Sequence, residues 1–379
     1  MNLHLIDDEK FFDPFVEKLE ALGLLENNLF VVRDCGPLKF IRRSDLIYGR
    51  FCDKLLIGDT RKYKKVFIHC LTSEMHDWIL QNEFNELNWM IWGKDLYTSD
   101  LVDFPLYEKL TKDLVRKVNN QRFAFNFGYW NPKNVIRRAG MAKTYSKIDY
   151  VLTWIEPEYK YAIKHIKGLK AKHENFAYMF EYDVEVLRAK FVERGCQAKK
   201  KVNEMKCVLG NSGVAANNHL DALQKIKHAH LKEILIPVSY GNAKYTTLLK
   251  REIETRYTDR RIAYLDKFMS FSDYIDFFDR YDIFISNSIR PIGMGNIWMA
   301  FIMGKLVFMN TDNFMYPYLR SLGLQVYDIN QIDSLEVILK AVNFRQNSDT
   351  AVQFLSKAKI DHMYLNLFSK DTSIYNQIV

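Results

Sequence analysis

The sequence predicts an α/β protein of two successive domains, each built on a doubly wound parallel sheet. Three observations lead there. The chain has 379 residues, too long for one ordinary domain and comfortable for two. Short apolar runs without strict alternation recur through both halves, as in strands buried on both faces. Each run is followed by a turn signal and a stretch with helical spacing, so a βα series runs, stops and restarts.

In the first half the predicted strands are Leu3–Ile6, Leu29–Val32, Val66–Cys70, Trp89–Trp92, Tyr150–Trp154 and Phe176–Phe180. In the second they are Met205–Leu209, Glu233–Val238, Ile262–Leu265, Ile283–Ser286, Leu306–Met309 and Leu324–Tyr327. Helical spacing is clearest over Phe15–Leu24, Ala215–His228, Tyr274–Tyr281 and Ile297–Met303. No Pro/Ser-rich linker or internal repeat separates the series, so the boundary is expected in the charged stretch Arg194–Lys201. That gives domains over 1–200 and 201–350, with a helical segment over 351–379.

Composition narrows the class. Hydrophobic residues make up 48% of the chain and aromatic residues 14%, enough for two packed cores. No apolar run approaches the ~20 residues of a spanning helix, and the start lacks the charged and apolar regions of a signal peptide. The five cysteines show no CxxC spacing, which argues against a zinc site or a disulfide framework and for a reducing compartment. The formal net charge of +8 is regional: residues 104–173 carry fifteen Lys/Arg against five Asp/Glu. Aromatic residues are interleaved with them, which suits an anionic membrane surface more than nucleic acid. A solvated helical face is the plainer alternative.

Two stretches in the second half carry chemistry. In the first, the strand ending at Leu209 runs into Gly210-Asn211-Ser212-Gly213, with Asn217 and His219 following. Glycines there permit tight turns, and free amides at a helix N-terminus attract phosphate. It is neither a GxGxxG nor a P-loop, and alone it is as readily a structural turn. In the second, Ser286 leads through Arg290 to Gly293-Met294-Gly295-Asn296. Two glycine-rich strand-to-helix turns in one domain suggest a diphosphate between them, with Arg290 neutralising charge. Between the two lies Tyr240, placed to stack on a base, to bond a phosphate or simply to line a rim.

In the first half, Trp92-Gly-Lys94-Asp95-Leu-Tyr97 follows a strand. Asp95 there is either a general base or a helix cap. His69, ending another strand, is the second candidate base, although a lone strand-end histidine is commonly structural. Trp92, Lys94 and Tyr97 would line the acceptor side.

Trp92-Gly-Lys-Asp-Leu-Tyr resembles the Trp-Gly-Ala-Asp-Leu-Tyr of the TDP-N-acetylfucosamine:lipid II N-acetylfucosaminyltransferases, glycosyltransferase family 56. Gly210-Asn-Ser-Gly with Asn217 and His219 resembles that family's Gly-Asn-Ser-Gly turn and downstream Asn-x-His. Pro237-Val-Ser-Tyr-Gly is similar to its Pro-Met-Gly-Tyr, and Ile292-Gly-Met-Gly to its Gly-Ile-Gly. The resemblance covers roughly residues 60–310, and departs at Lys94 and at Arg290-Pro291. It implies a GT-B fold, two Rossmann-like domains facing a cleft, with a nucleotide-sugar donor bound by the C-terminal one. It also implies a polyprenyl-diphosphate-linked acceptor, a dTDP-linked 4-acetamido-4,6-dideoxygalactose donor, and work at the cytoplasmic side of a bacterial inner membrane. No cofactor or metal is expected, since no Asp-x-Asp motif ends a strand. The rival readings are a non-hydrolysing sugar-nucleotide epimerase and a non-catalytic nucleotide-sugar or glycan-binding partner.

Overall fold

The computed structural model describes residues 1–9, 11–33, 36–50, 57–97, 102, 104–119, 140–178, 184–195 and 200–369. The chain forms two compact units. Unit 1 comprises Met1–Phe104, Asn126–Tyr182 and Ser356–Val379; unit 2 comprises Pro105–Phe125 and Asp183–Leu355.

Unit 1 is built on seven strands: β1 Asn2–Ile6, β2 Asn28–Val32, β3 Ile47–Arg50, β4 Val66–His69, β5 Leu87–Met90, β6 Tyr150–Thr153 and β7 Lys172–Asn175. They pair in the order β3-β2-β1-β4-β5-β6-β7, every ladder parallel. Strand order therefore reverses between β1 and β4, the place where doubly wound sheets open a crevice at their carboxyl ends. The central strands are fully buried, as their continuous apolar runs require. One core cluster joins Phe12, Phe15, Phe30, Phe67 and Phe176 to Ile360, Tyr364 and Phe368 of the helix Lys357–Phe368.

Unit 2 has six strands: β8 Lys206–Leu209, β9 Glu233–Pro237, β10 Ile262–Leu265, β11 Ile283–Ser286, β12 Leu306–Met309 and β13 Tyr327–Asp328. Their order is β10-β9-β8-β11-β12-β13, again all parallel, with the reversal between β8 and β11.

Four expectations change. The division falls at 182/183 and not within 194–201, and Pro105–Phe125 belongs to unit 2. Asp221 fixes that segment: its carboxylate accepts the N–H groups of Leu110 and Thr111, each at 2.8 Å, and the Thr111 hydroxyl at 2.7 Å. It caps the helix Lys109–Val118 from outside, and Leu114 enters the unit 2 core. The strand expected at Phe176–Phe180 lies instead at the polar Lys172–Asn175, an edge strand with no buried residue. Phe176 is apolar because it packs on Phe15 and Tyr364, not because it belongs to a ladder. β3, with its glycine and a register shift against β2, carries no alternation and escaped notice. Finally, the helix expected over 215–228 is broken: a 3-10 turn Ala215–Asn217 ends at Asn218 in the left-handed region (φ 51°), and the helix proper is His219–Lys225.

Candidate functional site

At the carboxyl edge of unit 2 the two glycine turns stand side by side. Gly210 follows β8 with φ 74°, and Gly293 precedes the helix Met294–Ile302 with φ 67°. Both angles suit glycine and strain other residues. A Cβ on Gly293 would lie 3.0 Å from Asn211 Cβ, so the turns touch across the β8/β11 reversal. Gly213 is demanded by space: a Cβ there would meet Thr246 Oγ1 at 2.4 Å, because Gly213 N–H donates to the Tyr240 carbonyl at 2.8 Å. Gly295 has no left-handed angle; it lies half-buried in the first turn of the helix, whose N-terminus no side chain caps. Uncapped first-turn amides carry the positive end of the helix dipole.

Around these turns stand polar side chains. Asn211 Nδ2 donates to the Tyr240 hydroxyl at 3.1 Å, and Tyr240 is 41% exposed. Asn296 Nδ2 donates to the Tyr274 hydroxyl at 3.0 Å. Arg290 is half-buried; burial pushes the Tyr107 hydroxyl up, and the Arg290 charge pulls against it. Asn313 holds the Arg290 loop, donating to the carbonyls of Ser288 and Arg290 at 2.8 and 2.9 Å.

Asn217 and His219, expected to touch the donor, lie beneath the turn instead. Asn217 donates to the Ser212 carbonyl at 3.0 Å and accepts from Asn211 N–H at 3.4 Å, so it ties the turn to itself. His219 is fully buried, its Nδ1 3.2 Å from the Tyr245 hydroxyl. Its Nε2 would lie 3.1 Å from a Cβ at position 210. Burial pushes its imidazole down to about 3, so it packs as a neutral ring. Asn218 was overlooked. Its Nδ2 donates to Leu106 and Asn287 carbonyls at 3.2 Å each, and its Oδ1 takes Glu108 N–H at 3.0 Å. Run Asn217-Asn218-His219-Leu-Asp221 is thus a support for the turn and for the 105–118 segment. Two adjacent asparagines before a helix, where Asn tolerates the left-handed region, were the available signal.

In unit 1 the geometry reassigns three residues. Asp95 is buried and its carboxylate is occupied: Oδ2 accepts from Leu71 N–H (3.1 Å) and the Trp89 indole (2.7 Å), and Oδ1 from Trp92 N–H (3.0 Å). Burial pushes its carboxyl up to about 6, against the pull of those three bonds. Asp95 lies inside the helix Lys94–Tyr97, and its carboxylate ties the preceding turn to Leu71 and Trp89 instead of capping the N–H groups that follow it. Tyr97 is buried, with its hydroxyl donating to Glu158 Oε1 at 2.9 Å. His69 ends β4 with no exposed surface, its Nε2 2.9 Å from His4 Nδ1. Lys94 is exposed and Trp92 half-buried. Cys70, next to His69, adopts φ 68°, a strained angle for a side chain and placed at the β1/β4 reversal. Among the described residues, no group of three or more His, Cys, Asp or Glu side chains is arranged to hold a metal ion.

Residues 186–367 match the family model described as 4-alpha-L-fucosyltransferase, glycosyl transferase group 56. Over these residues the chain is similar to the group 56 glycosyltransferases, as the Gly210 and Gly293 turns suggest. No curated protein matches the sequence. Among solved structures, HepE of Anabaena, determined with UDP and glucose, is 11% identical with a TM-score of 0.60, covering 98% of this chain and 100% of that one. Sucrose-phosphate synthase of Thermosynechococcus elongatus is 12% identical at TM-score 0.57, covering 97% and 95%. A glycosyltransferase of Rickettsia africae is 14% identical at 0.53, covering 97% and 94%. These likenesses show the fold, GT-B, and the family match makes the transferase a hexosyltransferase.

The basic region of the transferase is divided. Residues 105–118 belong to unit 2, and Lys164, Lys167, Lys170 and Lys172, all exposed, to unit 1. Arg137, Arg138 and the aromatic residues Phe123, Phe125, Phe127, Tyr129 and Trp130 lie outside the described residues. No helix among the described residues is long and apolar enough to cross a membrane.

Proposed function

We propose that this transferase takes its sugar from a nucleoside-diphosphate donor bound at the carboxyl edge of unit 2. The observation that carries the reading is the contact of the Gly210–Gly213 and Gly293 turns at the β8/β11 reversal, where an uncapped helix begins. Backbone N–H groups of both turns and the Arg290 guanidinium would meet the diphosphate, which gains charge as the anomeric carbon–oxygen bond breaks. Asn211, Tyr240, Gly295 and Asn296 stand at the same edge and would hold ribose, base or sugar, while Ser212 is buried within the turn. The family resemblance suggests dTDP-4-acetamido-4,6-dideoxygalactose as donor and a polyprenyl-diphosphate-linked saccharide as acceptor, with leaving-group stabilisation by amides and Arg290. The exposed lysines at 164, 167, 170 and 172 suit an anionic membrane surface, each contributing roughly 1 kcal/mol near it.

A thermal-shift screen tests the donor. The reading expects dTDP to raise Tm more than UDP or GDP. No shift with any nucleotide contradicts the donor site, and a preference for UDP or GDP contradicts the dTDP-sugar. Co-sedimentation with anionic vesicles tests the membrane part: binding should weaken steeply with salt, and indifference at low salt contradicts it.

A further inference from the structure

Behind the two glycine turns of unit 2 lies a junction of polar side chains that the donor reading does not use. The β8/β11 ladder closes with Gly210 N–H on the Ile285 carbonyl at 2.8 Å. Asn287 follows β11 directly, and Asn218 starts the helix His219–Lys225 behind the Gly210–Gly213 turn. The two asparagines, both fully buried, exchange hydrogen bonds. Asn218 Nδ2 donates to the Asn287 carbonyl at 3.2 Å, and Asn287 Nδ2 donates to the Asn218 carbonyl at 3.3 Å. Past the ladder, this pair joins the turn after β8 to the loop that runs from β11 to Arg290 and Gly293.

Glu108 grips both members of the pair. Its N–H donates to Asn218 Oδ1 at 3.0 Å, while Asn218 Nδ2 donates to the Leu106 carbonyl at 3.2 Å. The Asn218 amide therefore pairs with the backbone on either side of Tyr107, much as a neighbouring strand would. The Glu108 carboxylate takes Asn287: Oε2 accepts from its Nδ2 at 2.5 Å. Oε1 accepts from Lys225 Nζ at 2.6 Å and from Asn310 Nδ2 at 3.4 Å. Lys225 Nζ and Asn310 Nδ2 also donate to Asn287 Oδ1, at 2.9 and 3.2 Å. That fixes which way the Asn287 amide faces, with its Nδ2 turned to Glu108 and Asn218.

Three donors thus converge on one carboxylate whose side chain is 22% exposed. Glutamine at 108 would set an NH2 among them, so that a donor faces a donor. Alanine would remove the acceptor that Lys225, Asn287 and Asn310 share. Either change falls on Asn287, the root of the Arg290 loop, whose middle Asn313 holds. A diphosphate that meets both turns needs them at one spacing, and misplaced groups lose binding steeply.

We propose that Glu108 is a positioning residue of the donor site. Through Asn218 and Asn287 it sets the spacing between the Gly210–Gly213 turn and the Arg290–Gly293 loop, acting through the turns and not on the donor. The inference rests on the donor reading for its ligand and on the junction for its geometry.

Isothermal titration of dTDP and of UDP into wild type and variants tests it. Glu108→Gln should raise the Kd of whichever nucleotide the wild type binds about tenfold, the size of one lost hydrogen bond to a charged group. Glu108→Asp keeps the charge and should recover most of that loss. Glu233→Gln is the control. Glu233 is a buried carboxylate at the start of β9, on the opposite edge of the same sheet, bonded to the Tyr281 hydroxyl at 3.0 Å and to Arg261 at 3.1 Å. Its replacement should lower Tm comparably yet leave the nucleotide Kd within twofold of wild type. Hydrogen exchange on the wild type needs no variant to fold. Coupling is reciprocal, so nucleotide should raise protection at the Glu108, Leu110 and Thr111 N–H groups as well as at both turns. An unchanged Kd in folded Glu108→Gln, an equal loss in Glu233→Gln, or protection confined to the turns overturns the inference alone. A wild type that binds neither nucleotide overturns the donor reading together with it.

Discussion

The two sheets share a winding and differ in what they place at the reversal. In unit 2 the strands on either side of it end in backbone: Gly210 after β8, and the loop that leads from β11 to Gly293, with the side chains of Asn217 and His219 packed beneath. In unit 1 they end in side chains: His69, the last residue of β4, with Trp92 beside it and Phe11 against Trp92. A diphosphate wants N–H groups and close approach, which glycine allows; a neutral sugar wants flat apolar faces and a few directed hydrogen bonds. One topology thus presents two chemistries, and the difference lies in residues just past the strand ends.

Acid should separate the units. His4 and His69 in unit 1 and His219 in unit 2 are held neutral by burial, His4 down to about 4 and His219 to about 3. Between those values and the ordinary 6.5 the unfolded chain binds more protons than the folded one. The stability these rings contribute is therefore complete above pH 6.5 and is lost as pH falls toward 4. His4 alone accounts for about 3 kcal/mol on the usual conversion. Asp95 opposes this: its carboxyl, raised to about 6, contributes stability below the ordinary 3.8 that is lost as pH rises to 6. Asp95 offsets only one of the two histidines of unit 1, and its gain is complete over a narrower range than their loss, so unit 1 should weaken first. Urea unfolding followed by hydrogen exchange at pH 7 and pH 4.5 checks this; equal protection loss in both units would break the comparison.

A smaller effect sharpens it. Asp95→Asn turns one acceptor oxygen of the Trp92–Asp95 turn into a donor, against N–H groups of Leu71, Trp89 or Trp92. Stability should fall by about 1–3 kcal/mol, while turnover of the folded fraction stays within twofold. A hundredfold fall in turnover at wild-type stability would restore Asp95 as a base.

Much of unit 2 was legible because its requirements are written in residue type. A left-handed angle or a 2.4 Å approach shows in the sequence as glycine, at Gly210, Gly213 and Gly293. Unit 1 hid its buried polar chain of Tyr178, His69, His4 and Asn28 because the members come from four strands or their ends, and each alone reads as an ordinary polar residue. Asn2, His4 and Asn28 within or beside apolar runs were the signal: polar groups on fully buried strands need partners. The carboxylate of Asp95 was visible, but its three donors were not, since two of them are backbone.

The central claim is that unit 2 binds a nucleoside diphosphate through its paired glycine turns. Isothermal titration of dTDP and UDP into wild type and Gly293→Val tests it most directly. Valine at φ 67° would be strained, and its Cβ would stand 3.0 Å from Asn211 Cβ and Cγ, closing the gap between the turns. The account predicts a loss of nucleotide affinity of about a hundredfold or more, with cooperative unfolding retained. A folded Gly293→Val protein that binds nucleotide as tightly as wild type would contradict it.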